Sequence, residues 1–241
     1  MQTIPHMHDF VSELPGAVRE EMESLCVVRS VGKGEAVYSR GDESGELFRL
    51  LDGAIKLCNY SLDGKEIQMG EFRPGDCFGE MGLIDGLPRT SFAVAVRDSR
   101  VSVLSKPNFL KLYKKYTEIG WQLNLVQTRR IRFLYGLAEE AAGLNIHLRL
   151  ARAIHRLAYS HGYRAGGEGV FIDVSHEELS KMLVVSRQSV SKELKLLERE
   201  QAIELRYGKI YIRDLAALGE KYEKAVGMEQ VTPVYGGTQG E

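Results

Sequence analysis

The stretch 175-SHEELSKMLVVSRQSVSKELKLLERE-200 holds two short helical patterns around a tight turn. Ser175 and Glu178 have the spacing of a capping box, in which the hydroxyl accepts a backbone N–H and the carboxylate reaches back. Leu179, Met182 and Leu183 then share one face. Val184–Ser186 supplies a turn, and Ser186 is a good N-cap for the second helix. There Val190, Leu194 and Leu197 fall four and three residues apart and face inward, leaving Arg187, Gln188, Ser191, Lys192 and Lys195 outside. A helix that only filled a core would not need so polar a leading end around a single Val190. The pattern predicts a helix-turn-helix whose second helix can enter a major groove. Arg187 can take a guanine edge and Gln188 an adenine edge. Ser189 and Ser191 can hold phosphates beside the Ser186-capped N-terminus. Downstream, "AIELRYGKIYIRD" (Ala202–Asp214) reads as a hairpin turning at Gly208, a wing that carries Arg206 and Lys209.

The rest of the chain is compatible with a DNA-facing protein. Its 241 residues are 44% hydrophobic and 27% charged, which suits one large or two modest globular domains. No run approaches the ~20 apolar residues of a membrane span. The start, "MQTIPHMHDF", lacks a signal-peptide pattern, so a cytoplasmic location with no membrane partner is expected. Net charge is −1, yet residues 147–213 carry twelve Lys and Arg against eight Asp and Glu, an excess that matters through its placement. Cys26, Cys58 and Cys77 are far apart with no CxxC, which speaks against a zinc ribbon or a disulfide framework. They are too few for a four-thiolate iron–sulfur cluster. Neither metal nor haem is expected, and no P-loop or nucleophile–base arrangement points to an enzyme.

Upstream, residues 26–105 read as short strands between glycine turns. "VVRSV", "EAVYS", "LFRLL", "AIKLCNY", "EIQMGEF" and "SFAVAV" are β-rich and are separated by "GKGE", "GDESG", "DG", "LDGKE" and "RPGD". Such spacing predicts a barrel-like roll, with Asp63–Gly64 the clearest hairpin turn. From Lys106 the period becomes helical, with Pro107 at the start and little to stop it. Leu134, Leu137, Ala141 and Leu144 recur at three, four and three, a narrow seam for pairing with another helix, though Gln127 and Arg130 interrupt the stripe upstream. Gly143 followed by Asn145 predicts a stop, a hinge and a new N-cap. The domains expected are a sensor roll over 1–110, a dimerisation helix over 111–143, a winged helix-turn-helix over 144–218 and a disordered tail over 219–241.

One further motif is "RPGDCFGEMGLIDGLPRTSFAVA" (Arg73–Ala95). A fixed loop with free N–H groups, a guanidinium and a hydroxyl suits a phosphate, and a nearby carboxylate can accept from ribose hydroxyls.

Val174–Leu205 resembles the DNA-binding domain of the cyclic-AMP receptor protein / fumarate-nitrate regulator family of bacterial transcription factors, and the "FGEMG…PRT" segment resembles the phosphate-binding cassette of cyclic-nucleotide-binding domains. The resemblance covers roughly residues 26–215. It implies an α+β protein: an N-terminal double-stranded β-helix (jelly-roll), a long dimerisation helix and a C-terminal winged helix-turn-helix. It implies that Arg187, Gln188 and Lys192 contact base edges, with Gln188 standing where the best-known member has an acid. In the cassette it implies backbone N–H from Gly79, a ribose contact from Glu80, and Arg89 with Thr90 on the cyclic phosphate of cyclic AMP or a related nucleotide. Two hydroxyl residues that receive adenine in the family are matched by Leu134 and Tyr135. Either the base is held differently, by stacking or by the Tyr135 hydroxyl, or the cavity is filled and no nucleotide binds. The expected partners are a near-palindromic duplex, a second copy of the chain and, for an activator, RNA polymerase. The rivals are a same-fold regulator answering to redox state, a gas or its own abundance, and a nucleotide-controlled subunit acting on a protein.

Overall fold

The structure, a computed structural model, describes residues 7–164 and 169–223 together with the backbone of two strands, β1 (Gln2–Pro5) and β11 (Val231–Val234). The chain forms two compact units, His8–Thr128 and a second built from Arg129–Glu241 with the first seven residues.

In the first unit, helix α1 (Gly16–Ser24) precedes strands β2 (Val27–Val31), β3 (Ala36–Tyr38), β4 (Glu46–Tyr60), β5 (Glu66–Phe72) and β6 (Cys77–Phe78). Helix α2 (Met81–Asp85), strand β7 (Phe92–Ser105) and helix α3 (Lys106–Lys115) follow, and then helix α4 (Thr117–Gly143) begins. The strands pair in the order β2-β7-β4-β5, with β3 added on β7 and β6 on β4, all antiparallel. Strand alternation divides the side chains between two cores. Phe48, Phe78, Leu50, Val101 and Val103 point into the roll. Their neighbours Leu47, Cys77 and Leu104 point outward and pack with Met22 of α1, Phe109 and Leu112 of α3, and Ile119 and Leu123 of α4.

Three expectations change here. Asp52–Gly53, read as a turn, lies inside the continuous strand β4. Gly53 has φ +100°, and a Cβ there would come within 2.1 Å of Ser99 Oγ, so the residue bends the ladder without ending it. The single long helix is two: α3 stops at Tyr116 (φ −121°, ψ 109°), whose hydroxyl is held 2.5 Å from Glu21 of α1. The expected seam of α4 is split, for Leu134 and Ala141 are exposed. Leu137 and Leu144 are half-buried within the chain, whereas Trp121, Asn124, Thr128, Ile131, Tyr135, Ala138 and Ala142, spaced alternately three and four apart, are exposed.

In the second unit, helices α5 (Ile146–His161), α6 (His176–Leu183) and α7 (Arg187–Arg199) surround Leu150, Ile154, Leu179, Val190, Leu194 and Leu197. Asn145 caps α5, accepting from the Leu148 N–H at 3.0 Å, as its position after Gly143 predicts. Strands β8 (Val170–Ile172), β9 (Glu204–Arg206) and β10 (Lys209–Ile212) form a small sheet in the order β8-β10-β9. The tail expected to be disordered from 219 is helical through the end of α8 (Leu215–Glu223), and β11 pairs with β1 in parallel; the other residues from 224 lie outside the described residues. Polar composition hid the anchor. Tyr222 is buried with its hydroxyl 2.5 Å from Glu200, and Glu223 meets Arg152 at 2.8 Å. No helix among the described residues is long and apolar enough to cross a membrane.

Candidate nucleic-acid interface and ligand cassette

The capping box forms as read, with Glu178 N donating to Ser175 Oγ at 3.1 Å and Ser175 N to Glu178 Oε2 at 2.7 Å. Helix α6 ends on Val184 in the left-handed region (φ 55°, ψ 48°), and Val185 N returns to the Ser180 carbonyl at 3.1 Å. That conformation is strained for a β-branched residue. It aims α7 away within one residue.

Ser186 caps α7, accepting from Ser189 N at 3.0 Å. At 100° per residue Arg187, Ser191, Lys195, Gln188 and Lys192 span an arc of about 140°, opposite buried Val190, Leu194 and Leu197. Arg187, Gln188, Lys192 and Lys195 are exposed and make no ion pair or side-chain hydrogen bond among the described residues. The serines are more engaged. Ser189 Oγ lies 2.8 Å from Ser186 Oγ, and Ser191 Oγ lies 2.7 Å from His176 Nδ1, tying α7 to α6.

The wing turns at Gly208 (φ +68°). Its two expected cations are partly committed within the unit. Arg206 pairs with Glu204 at 3.0 Å and lies 4.3 Å over the Tyr211 ring. Lys209 reaches the Tyr163 hydroxyl at 2.5 Å and Asp173 at 3.4 Å, and the Tyr163 contact raises its pKa. The fully exposed tip is Tyr207, which the charge pattern missed; an aromatic beside the turn glycine was the available signal.

In the roll, the cassette residues close on one another. Arg89 Nη1 donates to the Gly79 carbonyl at 2.5 Å and Nη2 to the Glu46 carbonyl at 2.6 Å, while the guanidinium lies 4.5 Å over the Tyr38 ring. Gly79 has φ +87°, and a Cβ there would meet Arg89 Nη1 at 2.7 Å, so only glycine admits this approach. Burial lowers the pKa of Arg89, and its Nε is buried without a hydrogen-bond partner among the described residues. Such an orphaned donor costs about 1–3 kcal/mol, and an anionic oxygen would relieve it. Glu80 is buried and accepts from Gln127 Nε2 of α4 at 2.9 Å, a partner that sequence reading treated as an interruption of a seam. Thr90 is exposed, its carbonyl accepting from Asn59 Nδ2 at 3.1 Å. Stacked Phe72 and Phe78, with centroids 4.7 Å apart, and Phe48 fill the roll interior. Leu134 and Tyr135 belong to the second unit, where they are 61% and 68% exposed on α4.

A model of the cyclic nucleotide-binding domain matches residues 28–116, and one of the Crp-like helix-turn-helix domain matches residues 148–221. Over 194 residues the chain is 30% identical to the transcriptional regulator LdrP of Thermus thermophilus, covering 79% of this chain and 94% of that one. The chain belongs to the CRP/FNR family of transcription regulators. It is thus a DNA-binding regulator of a family without enzymatic activity. The cyclic AMP receptor protein of the same organism is 29% identical over 189 residues, covering 78% of this chain and 84% of that one. A crystal structure of a CRP/FNR-family transcriptional regulator from Thermus thermophilus superposes with a TM-score of 0.62 at 27% identity, covering 82% of this chain and 99% of the other.

Proposed function

We propose that this CRP/FNR-family protein works as a two-fold dimer that reads a near-palindromic operator through α7. The observation that carries this is the exposed set Arg187, Gln188 and Lys192, unpaired among the described residues, on a helix whose opposite side is locked into the core. Arg187 takes a guanine edge, Gln188 an adenine edge, and Lys192 a neighbouring base. Two copies of α7 enter major grooves about 34 Å apart. The dimer forms along the exposed stripe of α4, where Trp121, Ile131 and Tyr135 are 64%, 51% and 68% exposed at heptad-like spacing. An activator of this design would also meet RNA polymerase.

The effector is a cyclic nucleotide, cyclic AMP first, whose phosphate sits on Arg89 and Thr90 and whose ribose meets Glu80. The orphaned Arg89 Nε and the glycine-only approach at Gly79 support this, as does the likeness to a cyclic AMP receptor protein. Binding shifts a population of conformers of the DNA-reading unit. Calorimetric titration with cyclic AMP and cyclic GMP tests this: saturable binding, abolished by Arg89→Gln, is expected.

A second reading has its own support. Arg89 already satisfies two carbonyls and stacks on Tyr38, and phenylalanines fill the roll. A regulator that keeps the cassette as architecture would show no heat with either nucleotide, and its DNA affinity would be unchanged by them.

A further inference from the structure

We propose a second ligand site in the first unit, on the outer face of the roll beneath α1, that takes a small apolar monocarboxylate. A cavity of about 220 Å³ lies there. Strand register sets its floor. Val28, Ser102, Arg49 and Cys77 form one row across β2, β7, β4 and β6. They share a face with Leu47 and Leu104, two residues along β4 and β7, which pack into the outer core. Met22 of α1 forms part of the roof. The cassette uses the other face, through Phe48 and Phe78, so the two sites are separate.

Arg49 is the cation of this lining, and its contacts are long. Nε lies 3.3 Å from the Gly75 carbonyl, Nη1 3.4 Å from Glu23 Oε1 and Nη2 3.7 Å from Asp9 Oδ2. A guanidinium–carboxylate pair normally closes to about 2.7–2.9 Å. Glu23 has a side chain 54% exposed and can turn to water. An incoming carboxylate replaces it on Arg49 while its chain lies along Leu47, Leu51 and Leu104. The other polar groups of the lining are a hydroxyl, two thiols and the Glu23 carboxylate, so Arg49 meets no second cation there. The volume is below the roughly 300–1,000 Å³ of sites for drug-sized molecules, so the ligand is short.

The test is calorimetric titration of the full chain with octanoate, with hexanoate and octanol as comparisons. One octanoate per chain is expected, binding roughly fourfold more weakly for each methylene removed. Arg49→Gln should weaken octanoate roughly tenfold or more and leave octanol unchanged. Glu23→Gln, which removes the more exposed of the two carboxylates that face Arg49, should tighten octanoate, and Val28→Trp at the rim should block it. Thermal melts identify any variant that fails to fold, and the Glu23→Gln arm stands without Arg49→Gln. Absence of octanoate binding at millimolar concentration, equal affinity for octanol, or weaker octanoate binding in Glu23→Gln would overturn the proposal.

Discussion

Glu140, in the last turn of α4, accepts two parallel hydrogen bonds from Arg156 of α5, at 2.5 and 2.9 Å, across the break at 143–145. Arg152 adds a bond of 2.9 Å to the same carboxylate and pairs with Glu223 of α8 at 2.8 Å. Helices α4, α5 and α8 are thereby joined by buried charge. Removing Glu140 takes from Arg156 and Arg152 the buried carboxylate that they share.

Glu140→Ala should therefore destabilise the second unit by about 3–5 kcal/mol, the usual effect of breaking a buried pair. Burial alone would raise the Glu140 pKa, but Arg156 and Arg152 overcome it and hold it below the ordinary 4.5. With the folded value depressed, this stability is complete above pH 4.5 and is lost as pH falls through the folded pKa. Denaturant melts across pH 7 to 3 should show that loss in the native protein and a smaller one in the variant.

Substitutions on α7 should alter DNA readout and leave the fold alone. Arg187→Ala should reduce operator affinity by about 1–3 kcal/mol and relax discrimination at one base pair. Gln188→Glu should redirect one position from adenine toward cytosine. Selection from a random duplex pool, with each variant beside the native protein, reads both effects.

Val184 offers a stability test of the turn. A left-handed β-branched residue costs about 1–2 kcal/mol, and glycine returns roughly half of that gain through its greater freedom when unfolded. Val184→Gly should raise stability by about 0.5–1 kcal/mol, seen as a higher melting temperature with operator preference unchanged.

The exposed stripe of α4 predicts an assembly phenotype. Ile131→Glu places a charge on that stripe and should shift sedimentation toward the monomer at micromolar concentration. Affinity for a two-half-site duplex should then fall toward that for a single half-site.

The helix-turn-helix was legible because its information is local. A capping box, an N-cap serine and apolar steps of four and three write α6 and α7 directly into residues 175–200. The strands were legible by composition, but not their lengths, because the bend at Gly53 depends on Ser99, which lies far along the chain. Long-range pairing also hid the role of Gln127. As a polar gap in an apolar stripe it looked like a fault, yet it is polar because it meets Glu80. The same holds for Arg130, whose Nε reaches the Met7 carbonyl at 3.3 Å. At the tail, Tyr222 and Glu223 are buried by partners on α5 and at Glu200, which no local pattern announces.

The most direct test of the central proposal is fluorescence anisotropy of a selected palindromic duplex, titrated with native protein and with the Arg187→Ala/Lys192→Ala double variant at several salt concentrations. Tight, salt-dependent binding of two chains per duplex is expected of the native protein. A loss of at least a hundredfold is expected in the variant, whose melting temperature should be unchanged. Equal affinity of the two proteins, or binding indifferent to salt, would contradict the proposal.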